Sequence, residues 1–342
     1  MSFKRLEADD FVVSTDSITA GMWVGDIATL TYFFTSSTQA AGASGDYYLN
    51  VYSSSAATDI QFAIAYANAQ GSGSLAYNTA VNGYSPTGTI YGQYQNLVLG
   101  DENAAFIFGN ITSSDFFALS IERSRFKEAI LPGSLTLKVA GSTRTLTLTD
   151  DSAYTTTVMY GEAGRIYNII SGSAGVRNTS VNSSGWTSAS GSYGWLLPDI
   201  GTILLNGAAL AAPSASGGAN FLYSGSASAS AAPNTSPNVA LYLGISGSSA
   251  KTFTLNSQES VTSDFIFVRP RSSEFNYSEN PSFISGSTGE VLYSSFINNP
   301  QVYITTVGLY NDNNELLAVA KMSRPLLKDF TKEALIRVKL DF

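Results

Sequence analysis

The alternation of apolar and polar residues is most regular at the end of the sequence. Residues 336–342 read I-R-V-K-L-D-F, which places Ile336, Val338, Leu340 and Phe342 on one face of a strand and charged residues on the other. A chain end usually frays unless a sheet holds it. We therefore predict a terminal strand whose apolar face is buried against residues 302–320 of this chain, or against the same region of a neighbouring copy.

A second strand pattern lies shortly before this segment. Over residues 302–320, a run of β-branched and aromatic residues, four Asn or Asp residues and a second apolar run follow one another. This order predicts a β-hairpin with a polar turn. We predict that Tyr303, Leu309 and Tyr310 take part in assembly contacts, together with the apolar face of the terminal strand. Trp195, which lies in the apolar segment 193–205, is also predicted to take part in assembly contacts.

Strand patterns greatly outnumber helical ones in the remaining sequence. The predicted fold class is mainly β, with β-sandwich-like modules, long loops rich in Ser, Gly and Ala, and one or few short helices. The best helix is predicted over Pro86–Leu99, with Ser85 as its N-cap and Gly100 as its stop. Residues 171–192 and 211–237 are rich in small residues and are predicted to form long surface loops that bury little.

These patterns predict three regions along the chain. Residues 1–160 are expected to form an N-terminal β-rich domain, and residues 161–260 a loop-rich middle region with short strands. Residues 261–342 are expected to form a C-terminal β domain that contains the hairpin 302–320 and the terminal strand 335–342.

Composition narrows the classes of function. Only 13% of the 342 residues are charged and the net charge is −8, without a basic stripe, so binding to nucleic acid is not expected. Neither a signal peptide nor an apolar run of membrane-spanning length is visible, so no membrane contact is expected. The sequence contains no His and no Cys, which excludes imidazole bases, thiolate nucleophiles and disulfides. No metal, cofactor or catalytic residue is predicted.

Two features of the sequence are compatible with other functions, namely glycoside hydrolysis and sugar binding. Acidic pairs occur at Asp9–Asp10, Asp101–Glu102 and Asp150–Asp151, and a glycosidase needs two carboxylates about 5–9.5 Å apart. Trp186 and Trp195 lie in or next to the Ser/Gly-rich segments and are candidates for stacking against a sugar.

Five parts of the sequence, spread over most of the chain, are similar to one family: residues 125–128 with Pro132–Gly133, residues 146–151, residues 193–205, residues 274–283 and residues 303–320. Together they resemble virion structural proteins of contractile-tailed, T-even-like bacteriophages, of the cyanophage type.

The resemblance implies a non-enzymatic component of the tail or baseplate periphery that assembles in the host cytoplasm and works in the virion. Its expected partners are other virion proteins, including further copies of the same chain. Alternative roles are a receptor- or glycan-binding tail protein, a carboxylate-based glycan depolymerase, and a head or neck structural protein.

Overall fold

The fold is mainly β, as predicted, with 42% strand, 15% helix, a large curled sheet and only a few short helices. A computed structural model describes residues 3–35, 47–56, 58–73, 85–223, 237–247, 251–278 and 280–341. The chain divides into two units. We name Met1–Ser17 with Ser260–Phe342 the terminal unit, and Ile18–Glu259 the central unit.

The central unit contains a large, largely antiparallel sheet. Its strands follow the order β2-β16-β9-β10-β12-β14-β15-β7-β4-β3, and β11 and β13 both pair with β12. The bounds of these strands are β2 Thr29–Leu30, β3 Leu49–Tyr52, β4 Ile60–Asn68, β7 Asp115–Ile121, β9 Thr136–Ala140, β10 Thr145–Asp150, β11 Met159–Gly161, β12 Gly164–Ser173, β13 Val176–Arg177, β14 Gly194–Leu197, β15 Thr202–Asn206 and β16 Phe253–Thr254.

Apolar side chains cover both faces of this sheet. In β7, Phe116 and Ala118 belong to one core cluster, whereas Phe117 and Leu119 belong to the other. Because successive side chains of a strand point to opposite faces, the two clusters lie on opposite sides of the sheet. This is why β7, β14 and β15 read as continuous apolar runs rather than as alternating ones.

Helices and a small hairpin complete the central unit. The hairpin consists of β5 (Phe106–Phe108) and β6 (Ile111–Ser113), and a short strand β8 (Ala129–Ile130) follows. The helices are α1 (Pro86–Tyr94), α2 (Gly207–Ala211) and α3 (Pro237–Ser246).

The predicted helix is confirmed as α1 followed by one π-helical segment. The Ser85 hydroxyl accepts a hydrogen bond from the Gly88 backbone N–H, and Pro86 occupies the first turn. Gln95–Leu99 continues in π-helical form and ends at Gly100, whose φ of 68° is left-handed. Ile90 and Tyr91 are buried in the core cluster that contains Phe116, so packing offsets the cost of glycine within the helix.

The small-residue segments only partly behave as predicted. Within the first predicted loop, 171–192, the end of β12 and all of β13 are strand, which contradicts the prediction. Residues 178–192 and 212–223 contain little regular structure, but several of their side chains are buried, which contradicts the prediction of surface loops. Thr187 is 0% exposed, and Phe221 and Tyr223 are 3% and 4% exposed. Infrequent aromatic residues anchor these segments in the core although small residues dominate their composition. The rest of the second predicted loop, residues 224–236, lies outside the described residues.

The terminal unit is built from both ends of the chain. Its strands are the first part of β1 (Phe11–Gly21), the second part of β17 (Asn256–Val268), β18 (Val302–Tyr310), β19 (Leu316–Lys328) and β20 (Ile336–Asp341). β17 lies between β1 and β20, whereas β18 and β19 form a separate two-stranded sheet. One short helix, α4 (Ser294–Asn298), precedes the hairpin.

The observed division differs from the predicted three regions. The boundary predicted after residue 160 falls inside the large sheet, because β12 pairs with β10 on one side and β14 on the other. The first seventeen residues belong with the C-terminal segment rather than with the N-terminal β-rich domain. The predicted start of the last region, residue 261, lies one residue from the observed boundary at Ser260.

Candidate functional site

The hairpin of β18 and β19 has the predicted strands and turn. The pairing runs from Val302 opposite Lys328 to Tyr310 opposite Leu316. Its turn is held by the Asn311 side-chain oxygen, which accepts hydrogen bonds from the backbone N–H groups of Asn313 and Glu315 at 3.0 and 2.8 Å. β19 continues eight residues beyond the predicted end at residue 320, so the hairpin is longer than its sequence pattern indicated.

The hairpin has one exposed face and one half-buried face, since Val302, Ile304, Val307 and Leu309 of β18 are half-buried and the residues between them are exposed. None of residues 302–327 is fully buried. Tyr303 is 65% exposed, Leu317 67% and Val319 59%. An isolated two-stranded sheet is only marginally stable in water, and a third strand or a packing layer normally completes it.

Contacts at the base of the hairpin fix its root. The Lys328 side chain is 0% exposed. Its Nζ donates hydrogen bonds to the Ser272 carbonyl at 3.0 Å, to Asn276 Oδ1 at 2.8 Å and to the Asp329 carbonyl at 3.1 Å. Hydrogen bonds from Thr331 and then from Lys332 lower the pKa of Asp329 to about 2. The hairpin is therefore anchored at its root. Along its length, the Tyr310 ring contacts the Phe3 ring with 5.2 Å between their centroids, and Val307 and Ala320 line a small cleft together with residues 335–338.

The terminal strand follows the predicted alternation. Ile336 and Val338 are 8% and 4% exposed, Leu340 is half-buried, and Arg337 and Lys339 are exposed on the other face. β20 pairs with β17 rather than with the hairpin, from Val268 opposite Ile336 to Ser263 opposite Asp341. Phe342, which was predicted to share the buried face, lies outside the described residues.

The terminal unit buries few of its apolar side chains. Among its described residues, the fully buried apolar side chains are Ile266, Ile336 and Val338. The following large apolar side chains of the same unit are exposed: Phe3, Phe11, Val12, Val13, Tyr277, Leu292, Tyr293, Ile297, Tyr303, Tyr310, Leu316, Leu317, Val319, Phe330 and Leu335. Complete burial of a Val, Leu, Ile or Phe side chain contributes about 1.5–3 kcal/mol, so a partner surface can stabilise this unit considerably.

The two tryptophans named in the sequence analysis lie in the central core. Trp195 is 6% exposed, and its ring centroid is 5.0 Å from that of Phe108. Trp186 is half-buried and packs against the core cluster on the other face of the sheet. Trp195 is therefore packed within the central unit, whereas the other residues predicted for assembly belong to the terminal unit, and the two tryptophans form no exposed platform for a sugar.

Carboxylates of the acidic pairs accept hydrogen bonds from backbone N–H groups, both nearby and distant in sequence. Asp150 is fully buried, and its carboxylate accepts hydrogen bonds from the Gly133 N–H at 2.8 and 3.0 Å. Asp151 accepts from the Asn168 N–H at 2.9 Å, and burial is the main reason why its pKa is raised. Asp101 caps a turn through the Asn103 N–H at 2.8 Å. These carboxylates thus hold backbone segments together.

A buried carboxylate with two tyrosine partners was not identified from the sequence. Asp115 Oδ2 accepts hydrogen bonds from the Tyr223 hydroxyl at 2.7 Å and from the Tyr66 hydroxyl at 3.0 Å. Burial raises the pKa of Asp115, and the two hydrogen bonds oppose that increase. Burial likewise raises the pKa of both tyrosines, and the nearby carboxylate adds to it. In the sequence, the one local indication that this carboxylate is buried is its position directly before the apolar run F-F-A-L.

Comparison with known proteins gives no relative for this chain: no family model, no curated protein and no solved structure matches it. Within the described part of the chain, no three His, Cys, Asp or Glu side chains are grouped in a way that would hold a metal ion. None of the helices in the same part is long and apolar enough to cross a membrane.

Proposed function

We propose that this chain is a non-enzymatic structural component of a tailed bacteriophage virion, at the tail or baseplate periphery, where it mediates assembly contacts between virion proteins. The assembly role rests on the burial pattern of the terminal unit. Among its described residues, fifteen large apolar side chains are exposed and three apolar side chains are fully buried. The virion setting rests on the resemblance of segments such as residues 274–283 and 303–320 to phage structural proteins.

The hairpin of β18 and β19 is the element best suited to docking. Its root is fixed by Lys328, whereas Leu316, Leu317 and Val319 are each more than half exposed. Association costs about 4–15 kcal/mol of translational and rotational freedom, so burial of several such side chains is needed for a stable contact. The exposed Tyr303, Tyr310, Leu316, Leu317 and Val319 of the hairpin supply that number.

The first test asks whether the protein is part of the particle at all. Purified particles of the phage that encodes the chain should contain it at a fixed copy number by quantitative mass spectrometry. A reconstruction of the particle should place it at the tail or baseplate periphery. If the protein is absent from washed particles, the virion proposal is refuted, whereas the proposal that the terminal unit makes assembly contacts is not affected.

The second test addresses the docking surface itself. The double variant Leu317→Asp and Val319→Asp places two charges on the exposed hairpin and should lower incorporation into particles at least tenfold. Ile107→Asp is the matched control, because Ile107 is 50% exposed on a hairpin of the central unit. Both proteins should keep the parent's melting temperature for the central unit. Equal incorporation of the double variant and the parent would exclude the hairpin as a docking element.

A further inference from the structure

A cleft of about 410 Å³ opens in the large sheet of the central unit. It lies where β10 and β12 separate, since their pairing runs from Asp150 opposite Ile169 only as far as Leu148 opposite Ser171. Beyond that point β12 pairs with β13, through a tight turn in which Ala174 and Gly175 have positive φ angles of 48° and 74°. The start of β10 is left without a β12 partner and forms one wall of the cleft.

The lining of the cleft is positively charged and rich in hydroxyl groups. Arg144 and Arg177 are both among its ten lining residues. Four hydroxyl side chains contribute to the walls, and they are Thr145, Thr147, Ser171 and Ser173. None of the ten is Asp or Glu, although the chain carries a net charge of −8. Because positive charge is concentrated in this cleft of an acidic protein, the cleft favours a negatively charged ligand.

Both arginine side chains are held in place by neutral groups. The Arg144 guanidinium donates a hydrogen bond to the Gly217 carbonyl. The Arg177 guanidinium lies over the Tyr154 ring, 4.6 Å from its centroid, and the Tyr154 hydroxyl accepts a hydrogen bond from the Arg177 backbone N–H at 2.9 Å. Neither arginine forms an ion pair with a carboxylate of the described residues.

The Nε–H groups of these arginines are also unsatisfied. The Nε atoms of Arg144 and Arg177 are buried and have no hydrogen-bond partner within the part of the chain that the structure describes. A buried donor without an acceptor costs free energy, and the cost is larger for a charged group. Because these Nε atoms are closed to solvent, what the two residues offer a ligand is the positive charge of their partly exposed guanidinium groups, which no carboxylate of the described residues neutralises.

We propose that this cleft binds an oxyanion, a sulfate, phosphate or carboxylate group, carried by a small hydroxylated ligand. Both arginine residues are partly exposed, and their positive charge, delocalised over the guanidinium group, attracts such an anion. The Ser and Thr hydroxyls around them accept and donate hydrogen bonds to hydroxyl groups of the same ligand. The volume is within the range of small-molecule sites. This inference is independent of the proposed role in assembly.

Isothermal titration calorimetry of the full chain tests the proposal with defined probes. Inorganic phosphate, inorganic sulfate, a sulfated disaccharide and the same disaccharide without sulfate are titrated separately. We expect the sulfated disaccharide to bind and its neutral counterpart to bind at least tenfold more weakly. Saturation by the inorganic ions alone, with no gain for the sulfated sugar, would identify a free oxyanion as the ligand.

Substitutions in the cleft test whether the anionic probe binds there. Arg177→Gln and Arg144→Gln should each weaken binding of the anionic probe at least tenfold. Lys251→Gln removes the same charge from an exposed side chain that does not line the cleft, and should leave the dissociation constant unchanged. Thr147→Val tests the wall without altering the charge and should weaken the sulfated disaccharide more than inorganic sulfate.

Arg144 also holds the Gly217 carbonyl, so the melting temperature of every variant is measured first. If Arg144→Gln does not fold, Arg177→Gln and Thr147→Val decide the question. The proposal is overturned if no anionic probe binds, or if binding to the folded variants equals that to the parent.

Discussion

At the scale of single residues, Asp115 connects distant parts of the central unit. Its two tyrosine partners lie 49 and 108 positions away in sequence. Gly207 makes this arrangement possible, because a Cβ there would lie 2.2 Å from the Tyr223 hydroxyl oxygen and 2.7 Å from Asp115 Oδ2. A buried carboxylate is costly unless donors surround it, so the two hydroxyls and the missing side chain are required together.

Removal of one donor should therefore destabilise the central unit. Tyr223→Phe takes away the 2.7 Å hydrogen bond to Asp115 and leaves the carboxylate with a single tyrosine. Hydrogen bonds to charged groups contribute about 1.5–3 kcal/mol, and we expect a loss of that size in the free energy of unfolding. Chemical denaturation followed by tyrosine and tryptophan fluorescence measures it.

Tyr160→Phe is the control for this substitution. Tyr160 is 73% exposed, so loss of its hydroxyl should leave the free energy of unfolding unchanged. A Tyr223→Phe protein as stable as the Tyr160→Phe protein would show that Asp115 is satisfied without its nearer tyrosine.

At the scale of elements, local sequence signals predict some structures and not others. The cap, proline and glycine of α1 act within the helix itself, and the polar turn of the hairpin acts within four residues, so both could be predicted. The burial of Phe221 and Tyr223 depends on contacts with residues such as Phe117, which no local pattern reveals. The separation of β10 from β12 coincides with the Ser/Gly-rich residues that begin at 171, but this local signal does not reveal that a cleft opens there.

The contribution of the terminal strand to the terminal unit can be tested by deletion. Deletion of residues 338–342 removes Val338, one of the three buried apolar side chains of the terminal unit, and the pairing of β17 from Ser263 to Ile266. We expect the terminal unit to lose its ordered structure and incorporation into particles to fail. Limited proteolysis should then cleave the terminal unit and spare the central one.

Lys339→Gln provides the comparison for the deletion. Lys339 forms an ion pair with Asp341 at 2.8 Å, which lowers the pKa of that carboxyl, but both side chains are about half exposed. Exposed ion pairs contribute little to stability, so the protease pattern and incorporation should equal those of the parent. If the deletion variant resists protease as the parent does, the terminal strand is not needed for the unit.

At the scale of the whole molecule, the two units should differ in stability. The central unit has apolar clusters on both faces of its sheet, whereas the terminal unit buries Ile266, Ile336 and Val338 among its described residues. Local stability follows buried apolar contacts. In the free protein, amides of β18 and β19 should exchange with solvent at least tenfold faster than amides of β7 and β15.

The same measurement on assembled particles supplies the complementary result. Contacts with neighbours should protect β18 and β19, while β7 and β15 keep the slow exchange that they have in the free protein. If the hairpin exchanges equally fast in both states, its apolar side chains are not covered by a partner.

The position of the terminal unit at both ends of the chain has a consequence for the order of synthesis. A ribosome completes the central unit at residue 259 before it has made any of β18, β19 or β20. The central unit can fold while translation continues, since domains form as their residues emerge. The sheet of the terminal unit must wait for residues 336–341, so the unit that we propose for docking forms after the central unit. During that interval a growing chain presents a folded central unit and an incomplete docking surface.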